Sequence, residues 1–185
     1  MGKNIVILNG GPRPQGNTAA LIAAFTEGAE AAGHTVTRFD LCAMDIHGCR
    51  GCLAGGKDPD HPCVQRDGMD QIYPAYQAAD VVALASPMYY WSVTGQLKCA
   101  IDRLFAVAEL EEGYANPKKD AVLLMAAGAG GEENFAPVRA YYHALLDNLD
   151  WRNAGIVYAG GNMETGDIQQ HPEQLEAART LGQSL

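Results

Sequence analysis

Asn4-Ile-Val-Ile-Leu8, followed by Gly10-Gly-Pro-Arg-Pro-Gln-Gly-Asn-Thr18, is the stretch on which the reading of this chain turns. The first five residues are apolar and β-branched after the asparagine, the pattern of a short strand buried on both faces. The run breaks at Gly10-Gly11-Pro12, and a helical pattern begins at about Asn17. A strand that passes to a helix through such a turn gathers unpaired backbone N–H groups at the positive end of the helix dipole. Donors and dipole together make a site for a phosphate. Gly11 and Gly16 keep the turn open, Asn17 and Thr18 add side-chain donors, and Arg13 offers a charged fork to phosphate or to a neighbouring carboxylate.

The same residues have the spacing of a nucleoside triphosphate loop, but Asn17 stands where that loop requires lysine. Without that cation a triphosphatase is disfavoured. A single terminal phosphate, carrying about two charges, needs less. The plainer alternative is a tight turn with a capped helix.

With 185 residues, the chain is expected to form one domain with an inserted cysteine-containing loop at about 42–66. No apolar stretch approaches membrane-spanning length, and the N-terminus enters a strand with no signal-peptide pattern, so a cytoplasmic location is expected. The five cysteines then read as thiols or ligands in a reducing compartment. A net charge of −9 without a basic cluster argues against nucleic acid and anionic membrane as partners.

Further along, strand and helix patterns alternate. Leu21, Phe25 and Ala29 share a helical face that stops at Gly33, and Val36–Leu41 reads as a second strand. Asp67 is a good N-cap for a helix to about Ala79. Val81–Ala85 is a third strand, Gly95 to about Ala108 a helix, and Ala121–Ala126 a fourth strand. A helix near Pro137–Leu149, a strand near Ile156–Ala159 and a helix from Pro172 follow. This order predicts an α/β fold: a doubly wound, five-stranded parallel sheet with helices on both faces. Ligands on such sheets bind beyond the carboxyl ends of the strands.

Two more loops at that end have unusual chemistry. After strand three comes Ser86-Pro87-Met88-Tyr89-Tyr90-Trp91-Ser92, whose aromatics either cap the core or form a wall for a flat heterocycle, with the backbone of Met88 and Tyr89 reaching its edge. After strand four comes Gly128-Ala-Gly130-Gly131, where nothing blocks backbone approach to a carbonyl or an anionic ring. A phosphate loop, an aromatic loop and a bare-backbone loop together describe a mononucleotide with a large flat head.

These motifs, with the C-terminal GDIQQHPEQLEAARTLG, resemble the flavodoxin-like NAD(P)H-dependent FMN reductases and their iron–sulfur flavoprotein relatives over nearly the whole chain. The resemblance implies FMN, its phosphate at Gly11, Arg13, Gly16, Asn17 and Thr18, its ring against Pro87–Ser92 and Gly128–Gly131. Gly11 stands where relatives often have serine. The resemblance also implies ping-pong hydride transfer from NADH or NADPH to a small acceptor such as a quinone, a nitro or azo compound, a flavin or a ferric chelate. The chemistry then belongs to FMN and no catalytic side chain is expected. A homodimer or homotetramer is expected too, with the apolar run Tyr89–Val93 near an interface.

Cys49-x2-Cys52 followed by Cys63 resembles the cluster loop of the iron–sulfur flavoproteins, which carry another cysteine three residues after the second; here that residue is Gly55. A four-iron cluster generally takes four thiolates, and Cys42 would have to serve as an unusual fourth. The metal alternative is zinc on Cys49, Cys52, His61 and Cys63. A Cys49–Cys52 disulfide is another alternative, and free thiols are the preferred reading. Cys99 is expected as a small core residue, Asp102 and Arg103 as a local pair, and Lys118-Lys119-Asp120 as an exposed loop. Two other functions stay in view: a flavodoxin-type electron carrier docking on proteins, which the acidity suits, and a zinc or thiol redox sensor.

Overall fold

The computed structural model describes residues 2–185. Five strands form one sheet: β1 (Asn4–Asn9), β2 (Thr35–Asp40), β3 (Val81–Pro87), β4 (Asp120–Ala126) and β5 (Arg152–Ala159). Their order is β2-β1-β3-β4-β5 and every pairing is parallel. Each parallel step requires a crossover. The crossovers are α1 (Asn17–Ala31), α2 (Met69–Ala78), α3 (Gly95–Arg103) with the short α4 (Phe105–Ala108), and α5 (Ala136–Leu149); α6 (Pro172–Gln183) closes the chain.

Alternation along the strands sorts the core into two layers. Val6, Leu8, Val82, Leu84, Leu123 and Met125 face Ile72, Tyr76, Leu97, Ile101, Val138 and Tyr142 from α2, α3 and α5. Ile5, Ile7, Ala83, Val122 and Leu124 face Leu21, Ile22, Phe25 and Ala178 from α1 and α6. Burial on both faces is why β1, β3 and β4 read as continuous apolar runs. Helices α1 and α6 sit close because Gly28 and Gly182 lie against the carbonyls of Arg179 and Phe25, where a Cβ would collide.

Several expectations change in detail. β5 is eight residues long instead of four, because its first half, Arg152–Gly155, is only partly buried and lacks the apolar signature. The helix expected over Gly95–Ala108 is interrupted at Leu104. Helix α2 starts at Met69 with Gly68 at the cap position, though Asp67 still accepts from the Met69 N–H at 3.0 Å. Lys119 is buried, not exposed: its ammonium donates to the carbonyls of Ala79 and Gln77 at the end of α2, and burial pushes its pKa down. Cys99 is only half-buried.

Asp102 and Arg103 do not pair. Successive helical residues point in different directions, so Asp102 meets Lys98 one turn back at 2.6 Å, while Arg103 turns inward. There its guanidinium donates to both carboxylate oxygens of Asp67, at 2.6 and 3.1 Å, and to the carbonyl of His47 at 2.9 Å. Both side chains are 1% exposed. This buried fork ties the irregular 44–66 segment to the body of the protein.

Candidate functional site

The carboxyl ends of the strands open onto a cleft of about 500 Å³. It lies at the β1/β3 divide, where the strand order reverses and a sheet of this order binds its ligand. Its walls are the β1–α1 turn (Gly11, Pro12, Arg13, Gly16, Asn17, Thr18), the β3–α3 loop (Pro87 to Trp91) and the end of β4 with Gly128 and Ala129. Three of the expected residues, Ser92, Gly130 and Gly131, do not line it.

At the α1 end, Gly16 holds the cap position with an extended backbone (φ −76°, ψ 174°) and the first intrahelical bond runs from Ala20 to its carbonyl. The N–H groups of Asn17, Thr18 and Ala19 are therefore the unsatisfied donors of the first turn. Thr18 is 5% exposed and its hydroxyl has no partner within the described residues. Arg13 likewise has no carboxylate partner among them. The other two donors foreseen here are already engaged. The Gly11 N–H goes to Asn9 Oδ1 at 2.8 Å, while Asn9 Nδ2 reaches Asp40 at 2.7 Å. The Asn17 amide donates to the carbonyls of Asn162 (3.2 Å) and Glu164 (2.8 Å) and accepts from the N–H groups of Gly166 (3.1 Å) and Ile168 (3.4 Å). Asn17 thus fastens the loop after β5 to the start of α1; its side chain has no donor left for an anion.

The aromatic loop is a two-residue hairpin turn. Tyr89 and Ser92 exchange both backbone hydrogen bonds, at 3.0 and 3.1 Å, with Tyr90 and Trp91 left-handed at φ 48° and 60°. Such turns favour Asn-Gly because a Cβ is strained there. This one spends about 1–2 kcal/mol per residue to hold two aromatics at the mouth of the cleft, where Tyr90 is 95% exposed. The Met88 N–H is taken by the Ala126 carbonyl at 2.7 Å and that of Tyr89 by Ser92. The donors open at this loop are those of Tyr90 and Trp91, one step beyond the pair expected.

The loop after β4 is held by the bonds Ala127 N–H to Ala159 O and Asn162 N–H to Ala127 O, both 2.8 Å, which leaves the N–H groups of Gly128 and Ala129 without partners among the described residues. Met163 covers Gly128: a Cβ there would approach Met163 Sδ to 2.7 Å. Asn134, which donates to the Gly130 carbonyl, completes the wall with Asn162 and Met163. These last three are not among the residues expected from the sequence. The rule that ligands collect at strand carboxyl ends applies to β5 as well, and would have nominated Gly160–Met163.

Three cysteines line a separate recess of about 70 Å³ together with Gly55, Arg103 and Glu109: exposed Cys49 and Cys52, and buried Cys63. His61 is not part of it and lies 3.5 Å from Asp70 instead. Among the described residues no three His, Cys, Asp or Glu side chains converge as a metal site, and the four residues of the zinc alternative are not brought together. Also among them, no helix is long and apolar enough to cross a membrane.

Residues 3–170 match the model of the NADPH-dependent FMN reductases. The chain is 31% identical over 180 residues to an iron–sulfur flavoprotein of Archaeoglobus fulgidus, covering 95% of this chain and 76% of that protein. It is 28% identical over 170 residues to the iron–sulfur flavoprotein of Methanosarcina thermophila, covering 90% and 82%. Among solved structures, the NAD(P)H:quinone oxidoreductase of Methanothermobacter marburgensis has the same fold, with a TM-score of 0.75 at 21% identity over 100% of this chain and 96% of that one. With its parallel sheet, its cleft at the switch point and this match over most of its length, the chain belongs to the NADPH-dependent FMN reductase family and is an FMN-dependent NAD(P)H oxidoreductase.

Proposed function

We propose that FMN lies in the cleft with its phosphate on the first turn of α1 and its ring between the Pro87–Trp91 loop and Gly128–Ala129. Electrons from NADH or NADPH then pass to a small flat acceptor, a quinone, a nitro or azo compound or a flavin, in two successive half-reactions. The observation that carries this is the grouping of unpartnered donors at one end of the cleft: three N–H groups, the Thr18 hydroxyl and the Arg13 guanidinium. A dipole, a cation and open N–H groups at one point suit a phosphate dianion. The cleft volume of about 500 Å³ falls within the roughly 300–1,000 Å³ of sites for molecules of cofactor size. The residues present therefore fit FMN, which supplies the hydride-accepting and electron-donating ring.

The protein supplies position and electrostatics. Asn17 keeps the Asn162–Ile168 loop against α1, so that Asn162 and Met163 stay in the wall. The unpaired N–H groups of Gly128 and Ala129 favour negative charge on a ring edge beside them, because preorganised donors stabilise charge as it develops. Tyr89, Tyr90 and Trp91 give the mouth a flat aromatic lip that suits nicotinamide and acceptor alike. Two flat reactants that use one ring surface must take turns, which is the basis for the ping-pong scheme.

An anaerobic absorbance titration tests this. Protein loaded with FMN should bleach on addition of NADH or NADPH, and steady-state double-reciprocal plots with a quinone should be parallel. A flavin that stays oxidised with both nucleotides would favour a carrier serving protein partners, and intersecting plots would remove the two-half-reaction scheme. The exposed tip Tyr89–Trp91 is also the surface through which a second copy would dock. Light scattering that gives a monomer at micromolar concentration would refute that. Free thiols and a nicotinamide donor both suit a reducing cytoplasm.

A further inference from the structure

The loop between β2 and α2 carries three cysteines that the cleft does not use. Relatives named as iron–sulfur flavoproteins raise the question of whether Cys49, Cys52 and Cys63 hold a cluster. Such a cluster is held by four thiolates, and the residue three positions after Cys52 is Gly55.

The structure closes that fourth corner. A Cβ on Gly55 would run into Glu109 Oε2 and come within 2.7 Å of the Pro62 carbonyl oxygen, which itself accepts from the Gly56 N–H at 2.8 Å. Gly56 is left-handed (φ 70°), and a Cβ there would meet the backbone of Glu109. The Gly55–Gly56 turn is therefore packed flat on the residue that follows α4, and a carboxylate occupies the corner. Cys42 is no substitute, because its thiol points to the Gly10 carbonyl beside the first loop, at 3.5 Å.

We infer that this chain holds no four-iron cluster: Glu109 has taken the fourth ligand's corner, and Cys49, Cys52 and Cys63 stand as free thiols. This goes beyond the FMN reading, since it leaves the cleft as the exit for electrons, with no second redox centre in the cysteine loop.

The test uses the FMN-loaded protein, purified without oxygen, treated with ferrous iron, sulfide and dithiothreitol, and desalted. Iron and acid-labile sulfide should stay far below stoichiometric, and iodoacetamide followed by mass spectrometry should label Cys49 and Cys52 in the folded protein. Stoichiometric iron and sulfide, with those two cysteines protected, would overturn the inference. The variant Gly55→Cys/Glu109→Ala supplies the missing thiolate and clears the carboxylate. It should take up about four irons per chain in the same treatment. A variant that keeps its FMN and still refuses iron would show that Glu109 is not what excludes the cluster. Flavin absorbance is read separately, so failure to bind FMN counts against the cleft assignment alone.

Discussion

Thr18→Val removes one hydroxyl and preserves the branched shape of the side chain. Thr18 lies in the first turn of α1, 5% exposed, and its hydroxyl bonds nothing else among the described residues. The substitution therefore orphans no protein group, and the fold should not respond. If the hydroxyl donates to the phosphate, the lost bond is to a charged acceptor and is worth about 1.5–3 kcal/mol. At about 1.4 kcal/mol per decade, the Kd for FMN should rise roughly tenfold to hundredfold. Riboflavin, which shares the ring and sugar chain but lacks the phosphate, is the control, and its Kd should not move. Both constants can be read by following flavin fluorescence as protein is added. An unchanged FMN Kd, or an equal loss for FMN and riboflavin, would show that the phosphate does not sit at this helix.

Arg103→Met leaves the Asp67 carboxylate buried and unpaired, a loss of about 3–5 kcal/mol that should lower Tm by on the order of 10 °C; a Tm within a degree or two of wild type would refute the role given to this pair. Burial alone would raise the Asp67 pKa, but the bonds from Arg103 and from the His47 and Met69 N–H groups hold it below the usual carboxylate range. Its stabilisation is thus complete above the unfolded value of about 3.9 and is lost as pH falls through the lower folded value. Asp67→Asn should flatten the acid limb of urea-unfolding stability below about pH 4, and equal slopes for the two proteins would contradict it. Asn17→Ala removes four bonds to the loop after β5, so exchange of the Gly166 and Ile168 amides should accelerate, with a stability loss of about 2–4 kcal/mol; unchanged protection would refute it. Tyr90→Asn relieves a left-handed aromatic and should raise Tm by about 2–4 °C, whereas a fall in Tm would mean that the ring packs on something that stabilises the turn.

How much of the site was legible depends on the range of the forces involved. The β1–α1 turn, the aromatic loop and the glycine loop could be found because each announces itself within a few residues: apolar runs, Gly and Pro breaks, a helix start. Parallel strands buried on both faces carry that signal most strongly, and so β1, β3 and β4 were found nearly to the residue while the partly exposed first half of β5 was missed. Asn162, Met163 and Asn134 carry no local mark. Asn162 and Met163 follow only from their place beyond the carboxyl end of β5, which the sheet sets beside that of β4, and Asn134 only from the folded loop.

By itself, then, the sequence determined the strand and helix order, the parallel sheet, and where an anion would find a helix N-terminus, because these follow from short-range periodicity and backbone chemistry. Tertiary structure alone decided which donors are open. Asn17 is spent on residues about 150 positions away, Gly11 on Asn9, Arg103 on Asp67 and not on its neighbour, and the corner beside Gly55 on Glu109. A polar side chain bonds whatever the fold sets within about 3 Å, and that partner is fixed by packing across the sheet, not by position along the chain.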